Sequence, residues 1–359
     1  MSAPRRLLPL LACALMLAWA PSTHATVPPD FVGMSSDDTF AGPDQYRSAT
    51  MAQQRSVGVG LIRQAFDWSW VETSPGNYDF GVYDSYVLEA AQHGMAILPV
   101  LHNPPDFYRR SSARGWCPPP DLSTMAGFAR AAVQRYGPNG SLWRENPGAP
   151  SVPVRSWQIW NEPNLGIYWC NHPNPREYAS MLRVVGQAIK SEDPAAEIVT
   201  AGMPDSKLKS AMPLSRYLKG LYRARGKRYF DTLAINSYAK DNRQLADLLQ
   251  SIRKRMNRSH DRRARIWITE IGWGDSGPRH RFIVGAEGQA VRIANAIKLL
   301  GKMRKKLRLR GVVYYSWRDL NPYPPNYDDM WGLHTGLLDL NGNPKPAYNA
   351  FGRAVAGLR

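Results

Sequence analysis

Two glutamates carry the clearest chemical signal in the chain. Glu162 stands in Trp160-Asn161-Glu162-Pro163-Asn164, and Glu270 in Ile268-Thr269-Glu270-Ile271-Gly272-Trp273. Each follows a short apolar, β-rich run, so the pattern places each at the C-terminal end of a strand. Two carboxylates delivered from different strand ends to one face suit the cleavage of a glycosidic bond. One must stay protonated to assist the leaving oxygen, and the other must be ionised to attack the anomeric carbon. His102 and Asn103 close another strand-like run and are further candidates for binding sugar hydroxyls; a satisfied buried histidine is the competing reading of His102. Seven His and three Cys show no metal-ligand spacing. There is no phosphate loop, dinucleotide fingerprint or Gly-x-Ser-x-Gly elbow, so no cofactor is implied.

The elements that would position these residues alternate in type eight times. Strands are expected at 31–35, 60–66, 96–101, 156–160, 197–201, 232–237, 265–269 and 311–316. Helices are expected at 45–57, 82–93, 122–136, 176–191, 213–225, 243–256 and 286–305, with a last one at 347–355. Residues 137–153, rich in Gly, Pro and Asn, read as a surface loop. Strand–helix alternation at these lengths implies a parallel sheet, and eight units favour a closed (β/α)8 TIM barrel over an open doubly wound sheet. The chain has 359 residues and 43% hydrophobic content, enough for one large core. It is read as a single catalytic domain over 26–359, working as a monomer.

Residues 1–25 read as a secretory signal. Arg5 and Arg6 precede an apolar run from Leu7 to Ala20, and Thr23-His24-Ala25 offers a small-residue cleavage site. The run is too short for a membrane span. This implies a secreted protein, with an uncleaved anchor as the alternative. Cys13 leaves with the leader, so Cys117 and Cys170 form an even pair in an oxidising context. They fall in neighbouring loops after the third and fourth strands. A disulfide there would brace the mouth of the site; two free buried thiols are the alternative.

The formal net charge is +17, or +15 without Arg5 and Arg6. Nucleic-acid binding is the obvious suggestion, but the location of the charge argues otherwise. Residues 216–228, 253–265 and 302–310 together hold 19 Lys or Arg against Asp261 alone. Each stretch runs from a helix end into the next strand, which in a barrel is the face opposite the catalytic one. The remainder, including the site face, is expected to be near neutral or acidic. The basic face reads either as cations favoured at helix C-termini or as a patch that holds an anionic wall or extracellular polymer.

Trp157-Gln158-Ile159-Trp160-Asn161-Glu162-Pro163-Asn164-Leu165 resembles the acid/base motif of clan A glycoside hydrolases. It is most similar to family 39, with the aromatic pair Tyr168-Trp169 following. The run from Asp67 through Phe80 and Tyr83-Asp84 resembles the same group, and the resemblance extends over about residues 31–350. Residues 269–273 depart from family 39 and look closer to family 5. The resemblance implies a retaining enzyme with Glu162 as general acid/base and Glu270 as nucleophile. It implies that Asn161 holds the sugar 2-hydroxyl and that Arg63 orients Glu270. It implies a hydrogen bond from Tyr238 to the nucleophile, and Trp317 as the platform under the sugar. Carbohydrate is the partner implied, and many of the chain's 12 Trp and 17 Tyr fall in expected site-face loops: Trp68, Trp70, Tyr108, Trp116, Tyr168, Trp169, Trp273, Tyr323, Tyr327 and Trp331. Endo-acting hydrolysis of a β-linked polysaccharide or oligosaccharide is the leading expectation. An exo-acting, xylosidase-like enzyme, a transglycosylase and a non-catalytic wall-binding barrel are the alternatives.

Overall fold

The computed structural model describes residues 27–109, 116–322 and 328–359. The expected leader and Tyr323 and Tyr327 lie outside them. Eight strands form the barrel: β1 (Val32–Ser35), β2 (Leu61–Asp67), β3 (Ala96–His102), β4 (Ser156–Ile159), β5 (Glu197–Thr200), β6 (Thr232–Asn236), β7 (Arg265–Ile271) and β8 (Leu309–Tyr315). Neighbours in sequence are neighbours in space, and β1 closes on β8 through parallel pairs from Val32↔Val312 to Ser35↔Tyr315. The expected (β/α)8 barrel is therefore what the chain forms.

The surrounding helices are α1 (Asp44–Ser56), α2 (Gly81–Gln92), α3 (Leu122–Tyr136), α4 (Pro175–Glu192), α5 (Leu214–Arg223), α6 (Asn242–Arg258), α7 (Ala286–Leu307) and α8 (Pro346–Ala356). Their ends follow local chemistry. Asn174 accepts from the backbone N–H groups of Arg176 and Glu177, and Pro175 takes the first helical position, where no N–H is needed. Asp121 and Asp241 cap α3 and α6 in the same way. Along α4, Tyr178, Met181, Leu182, Val185 and Ile189 are buried. That spacing puts one apolar stripe against the barrel.

The interior is layered by the two-residue period of the strands. Leu61, Leu98, Val199, Ala234, Trp267 and Val313 form a dry middle layer from six strands. One step toward the strand N-termini lies a polar plug centred on buried Glu197. It accepts from Ser156 at 2.7 Å, from Thr232, from Arg265 at 2.6 Å and from Arg310 at 3.3 Å. Arg310 also pairs with Asp30 and lies over the Trp267 ring. Removing one partner would strand a buried charge, so this end of the barrel is sealed rather than open. The other end holds the candidate site.

The segment expected as a loop at 137–153 contains a short helix, Ser141–Glu145. Leu142 and Trp143 are buried, and the Trp143 ring N–H donates to the carbonyls of Tyr136 and Gly137. Two apolar side chains inside a Gly/Pro/Asn-rich stretch found a core to pack on. No helix among the described residues is long and apolar enough to cross a membrane.

Candidate active site

The C-terminal ends of the strands surround a cavity of about 470 Å³. Glu162 reaches it from the loop after β4 and Glu270 from near the end of β7. A register shift explains how β7 presents its carboxylate. Ile235 pairs with Ile268, but Asn236 pairs with Glu270. Strict alternation would send Thr269 inward and Glu270 outward. The irregularity lets Thr269 bond Asn236 inside the barrel at 2.9 Å while Glu270 still enters the cavity. On the β4 side the backbone is turned at Trp160 (φ 73°) and at Glu162 itself (φ 41°), a conformation unusual for residues other than glycine. The Trp160 ring N–H anchors that turn to the Tyr168 carbonyl at 2.8 Å.

Arg63, buried on β2, ties the site together. Its Nη1 donates to Glu270 Oε1 at 2.8 Å, its Nη2 to Asn161 Oδ1 at 3.0 Å and its Nε to Gln158 Oε1 at 2.7 Å. Gln158 is itself fixed by donating to the Thr200 carbonyl. A planar guanidinium satisfies three acceptors at fixed angles, which a lysine ammonium cannot reproduce. Tyr238 donates to Glu270 Oε2 at 2.5 Å. Burial and the nearby Glu270 push its hydroxyl well above the usual tyrosine range, so it remains a donor.

Glu162 sits in a different environment. Burial pushes its carboxyl up to about 8, and the charge of Glu270 adds to the rise. A hydrogen bond from Asn236 Nδ2 to Glu162 Oε1 at 2.7 Å and the positive charge of Arg63 act in the opposite direction. Asn236 reaches Glu162 because Gly202 lies beside it. A Cβ on Gly202 would stand 2.0 Å from Asn236 Oδ1 and 2.5 Å from Thr269 Oγ1. The two glutamates are thus held in unlike protonation environments, the arrangement that separates an acid from a nucleophile.

The structure brings Arg63, His102, Asn161, Glu162, Tyr238 and Glu270 to one cavity. His102 lines it with a neutral ring. Burial pushes its pKa down to about 4, Arg63 pushes the same way and Asp67 opposes, and the buried Nδ1 has no partner. Asn103 is turned away and donates to Asp67 at 2.7 Å.

Trp317 is the expectation that must be corrected. It is fully buried, belongs to the main hydrophobic core and packs edge-on against Tyr348 with ring centroids 5.8 Å apart. The ring on the cavity wall is Tyr315, two residues earlier, at the end of β8. The larger apolar ring lies off the cavity because β8 ends at Tyr315 and the chain has already left the barrel at Trp317. Several expected site-face aromatics also serve packing. Trp68 stacks on Phe128, Trp169 donates to Glu177, and Trp273 donates to the Ala239 carbonyl. Trp116, Tyr168 and Trp331 do line the cavity. Trp116 stacks on Tyr168 at 4.9 Å and 11°. The Cys117–Cys170 disulfide, with Cα atoms 5.0 Å apart, holds that pair. Across the barrel, Trp331 packs against Tyr238 and Phe282 and stacks on His280.

Asn236, Gln158 and Asp37 were not singled out by sequence reasoning. Asn236 directly precedes Ser237-Tyr238, and Gln158 lies inside the motif around Glu162, so position relative to a strand end was the available signal. Asp37 gave none beyond following β1. Among the described residues, the charged groups lining the cavity are Asp37, Glu162 and Glu270 with Arg63. The three basic stretches follow α5, α6 and α7 into β6, β7 and β8, on the opposite face.

No protein-family model and no curated protein sequence matches the chain. Solved structures do. A family 39 glycoside hydrolase from the gut symbiont Bacteroides cellulosilyticus WH2 superposes with a TM-score of 0.63 at 20% identity, covering 92% of this chain and 64% of the other. A GH39 β-xylosidase from Caulobacter crescentus gives 0.67 at 19% identity, covering 92% and 72%. Native xylanase 10B from Thermotoga maritima gives 0.60 at 16% identity, covering 92% and 96%. At these identities the likeness is one of fold. The chain spans under two thirds of the length of the Bacteroides protein.

Proposed function

We propose that this chain is a retaining glycoside hydrolase that cleaves a β-linked oligosaccharide or polysaccharide. The observation that carries the reading is the contrast between the two cavity carboxyls. Glu162 is pushed up to about 8, whereas both oxygens of Glu270 accept from Arg63 and Tyr238.

In this reading Glu270 attacks the anomeric carbon while Glu162 protonates the departing oxygen. The glycosyl group becomes covalently attached to Glu270, and its negative charge is lost. One of the causes raising Glu162 then disappears, so its carboxyl becomes more acidic. That suits its second task, taking a proton from the water that releases the sugar. Asn161, its Oδ1 held by Arg63, has its amide nitrogen left as the donor side, the role that a sugar 2-hydroxyl would need. Family 39 and xylanase neighbours of the same fold support a glycosidase, and the β-xylosidase and xylanase among them make xylose-containing substrates a sensible first panel.

Internal cleavage is the preferred mode. The Trp116–Tyr168 wall follows β3 and β4 and the Trp331 wall follows β8, strands on opposed sides of the barrel. Rings on both sides would grip sugar on both sides of the scissile bond. Export from the cytoplasm is part of the proposal, supported by the Arg5-Arg6 leader pattern and the Cys117–Cys170 bridge. Retention of an anionic polymer on the basic face is proposed on charge alone, as salt-sensitive adsorption. The deciding experiment is proton NMR of the first product from residues 26–359 on aryl β-glycosides and xylan-type polymers. A β-configured first product and intermediate-length fragments are expected. An α-configured first product overturns retention, and release of single sugars from chain ends alone overturns internal cleavage.

A further inference from the structure

Asp37 is a cavity carboxyl to which the mechanism above gives no task. It follows β1 and lines the same cavity as Glu162 and Glu270. Its neighbours are pinned by side-chain contacts. Ser36 Oγ donates to Asp38 Oδ1 at 3.0 Å and receives the Gln54 amide at 3.1 Å, and Tyr46 donates to the other Asp38 oxygen at 2.5 Å. The Asp37 carboxyl itself has no hydrogen-bond donor and no ion pair among the described residues. The segment therefore presents a solvent-exposed carboxylate, free of protein donors among the described residues, to the space that a sugar would fill.

The cations available to a ligand are as informative. Arg63 is the one guanidinium or ammonium among the described lining residues, and its three donor nitrogens already serve Gln158, Glu270 and Asn161. A sugar carboxylate placed here would meet Glu270 and Asp37, with no cation besides Arg63 among the described lining residues to pair with. Like charges brought together without a compensating cation are unfavourable. A hydroxyl or an ammonium would instead supply the donor that Asp37 lacks. Surrounding protein, then the charges of Glu270 and Asp38, push Asp37 up to about 6 against the pull of Arg63, although the side chain is still open to solvent.

We propose that Asp37 is a substrate-binding carboxylate of the cleavage subsite, accepting hydrogen bonds from sugar hydroxyls or from an amino-sugar ammonium, and that it closes the subsite to uronic acids. The proposal rests on the glycosidase reading. It adds a selection rule that neither the two catalytic glutamates nor the fold contains.

The test uses wild type, Asp37→Asn and Asp37→Ala with 4-nitrophenyl β-glycosides of xylose, glucose, galactose, glucosamine and glucuronic acid. Thermal melts of each variant accompany the kinetics. Wild type should process at least one neutral or amino sugar and leave the glucuronide roughly 100-fold or more behind in kcat/KM. Asp37→Ala should lose roughly 10- to 100-fold in kcat/KM on the best substrate, the scale of a hydrogen bond to a charged group, with its melting temperature held. Asp37→Asn separates the two ligand chemistries. It should spare much of the activity on a neutral sugar and remove a preference for glucosamine. A glucuronide among the best substrates, or an Asp37→Ala variant within about twofold of wild type, overturns the proposal and leaves the hydrolase standing. No turnover by wild type on these glycosides or on polysaccharides brings down the hydrolase reading, and this proposal with it.

Discussion

Asn236 donates its side-chain N–H to Glu162 at 2.7 Å, and two residues later Tyr238 donates its hydroxyl to Glu270 at 2.5 Å. One strand end therefore sets the position of both candidate catalytic carboxyls. The partners differ in consequence. Tyr238 helps occupy the acceptor sites of a group also bound by Arg63, whereas Asn236 only partly offsets the burial that keeps Glu162 protonated.

Rate should fall as pH rises through about 8, because Glu162 loses the proton it must deliver. Asn236 favours the ionised form, so Asn236→Ala should move that alkaline limb to higher pH. The kcat/KM profile on an aryl glycoside reads this. An alkaline limb that stays in place in Asn236→Ala would count against the role given to the hydrogen bond.

The same shift predicts a stability effect. Glu162 holds its proton more tightly folded than unfolded, from about 4.5 to about 8. Its burial therefore costs nothing below the lower value, and costs progressively more as pH rises through that window. Glu162→Gln should melt higher than wild type at pH 8 and about equal to it at pH 4. An unchanged or lower melting temperature at pH 8 would contradict the assignment.

Replacement of the two glutamates should separate their roles. Glu162→Gln should lose roughly 10²- to 10⁴-fold on substrates with poor leaving groups. Much of the first step should survive on a dinitrophenyl glycoside, whose leaving group needs no proton. Added azide should then accelerate release of a β-glycosyl azide. Glu270→Gln should be inactive on both, and equal behaviour of the two variants would reject the division of labour.

Trp317 and Tyr315 should respond in opposite ways. Trp317→Ala removes a buried ring and should cost about 3–5 kcal/mol of stability. Tyr315→Ala should leave the fold largely intact and raise KM, because its ring faces the cavity. Denaturant midpoints beside KM values distinguish them. A stable Trp317→Ala with damaged KM would restore Trp317 as the platform.

Cys117→Ser with Cys170→Ser should cost about 4 kcal/mol in the chain-entropy view, given a sequence separation of 53. It should also weaken binding of longer oligosaccharides more than of aryl monosaccharides, because the bridge holds the Trp116–Tyr168 wall. Equal KM changes on both substrate classes would mean that the bridge supports the fold alone.

The sequence by itself determined the element order and the two glutamates. Strand and helix periodicities are local, and β3 or α3 can be read from runs such as 96–101 or 122–136 with an error of a residue. The motif around Glu162 and the apolar run before Glu270 are likewise contiguous. Other features depended on contacts between distant segments. The irregularity at the end of β7 arises from pairing with β6 and β8, and it is what turns Glu270 inward. The role of Asn236 requires the space left by Gly202, which lies 34 residues away in the chain. Tyr315 rather than Trp317 faces the cavity because barrel closure on β1 fixes where β8 ends. Asp37 matters because β1, β2 and β7 meet at one cavity, and a single strand end carries no trace of that meeting. Local pattern sets what each segment becomes, but a side chain's environment is made by whichever segments pack around it.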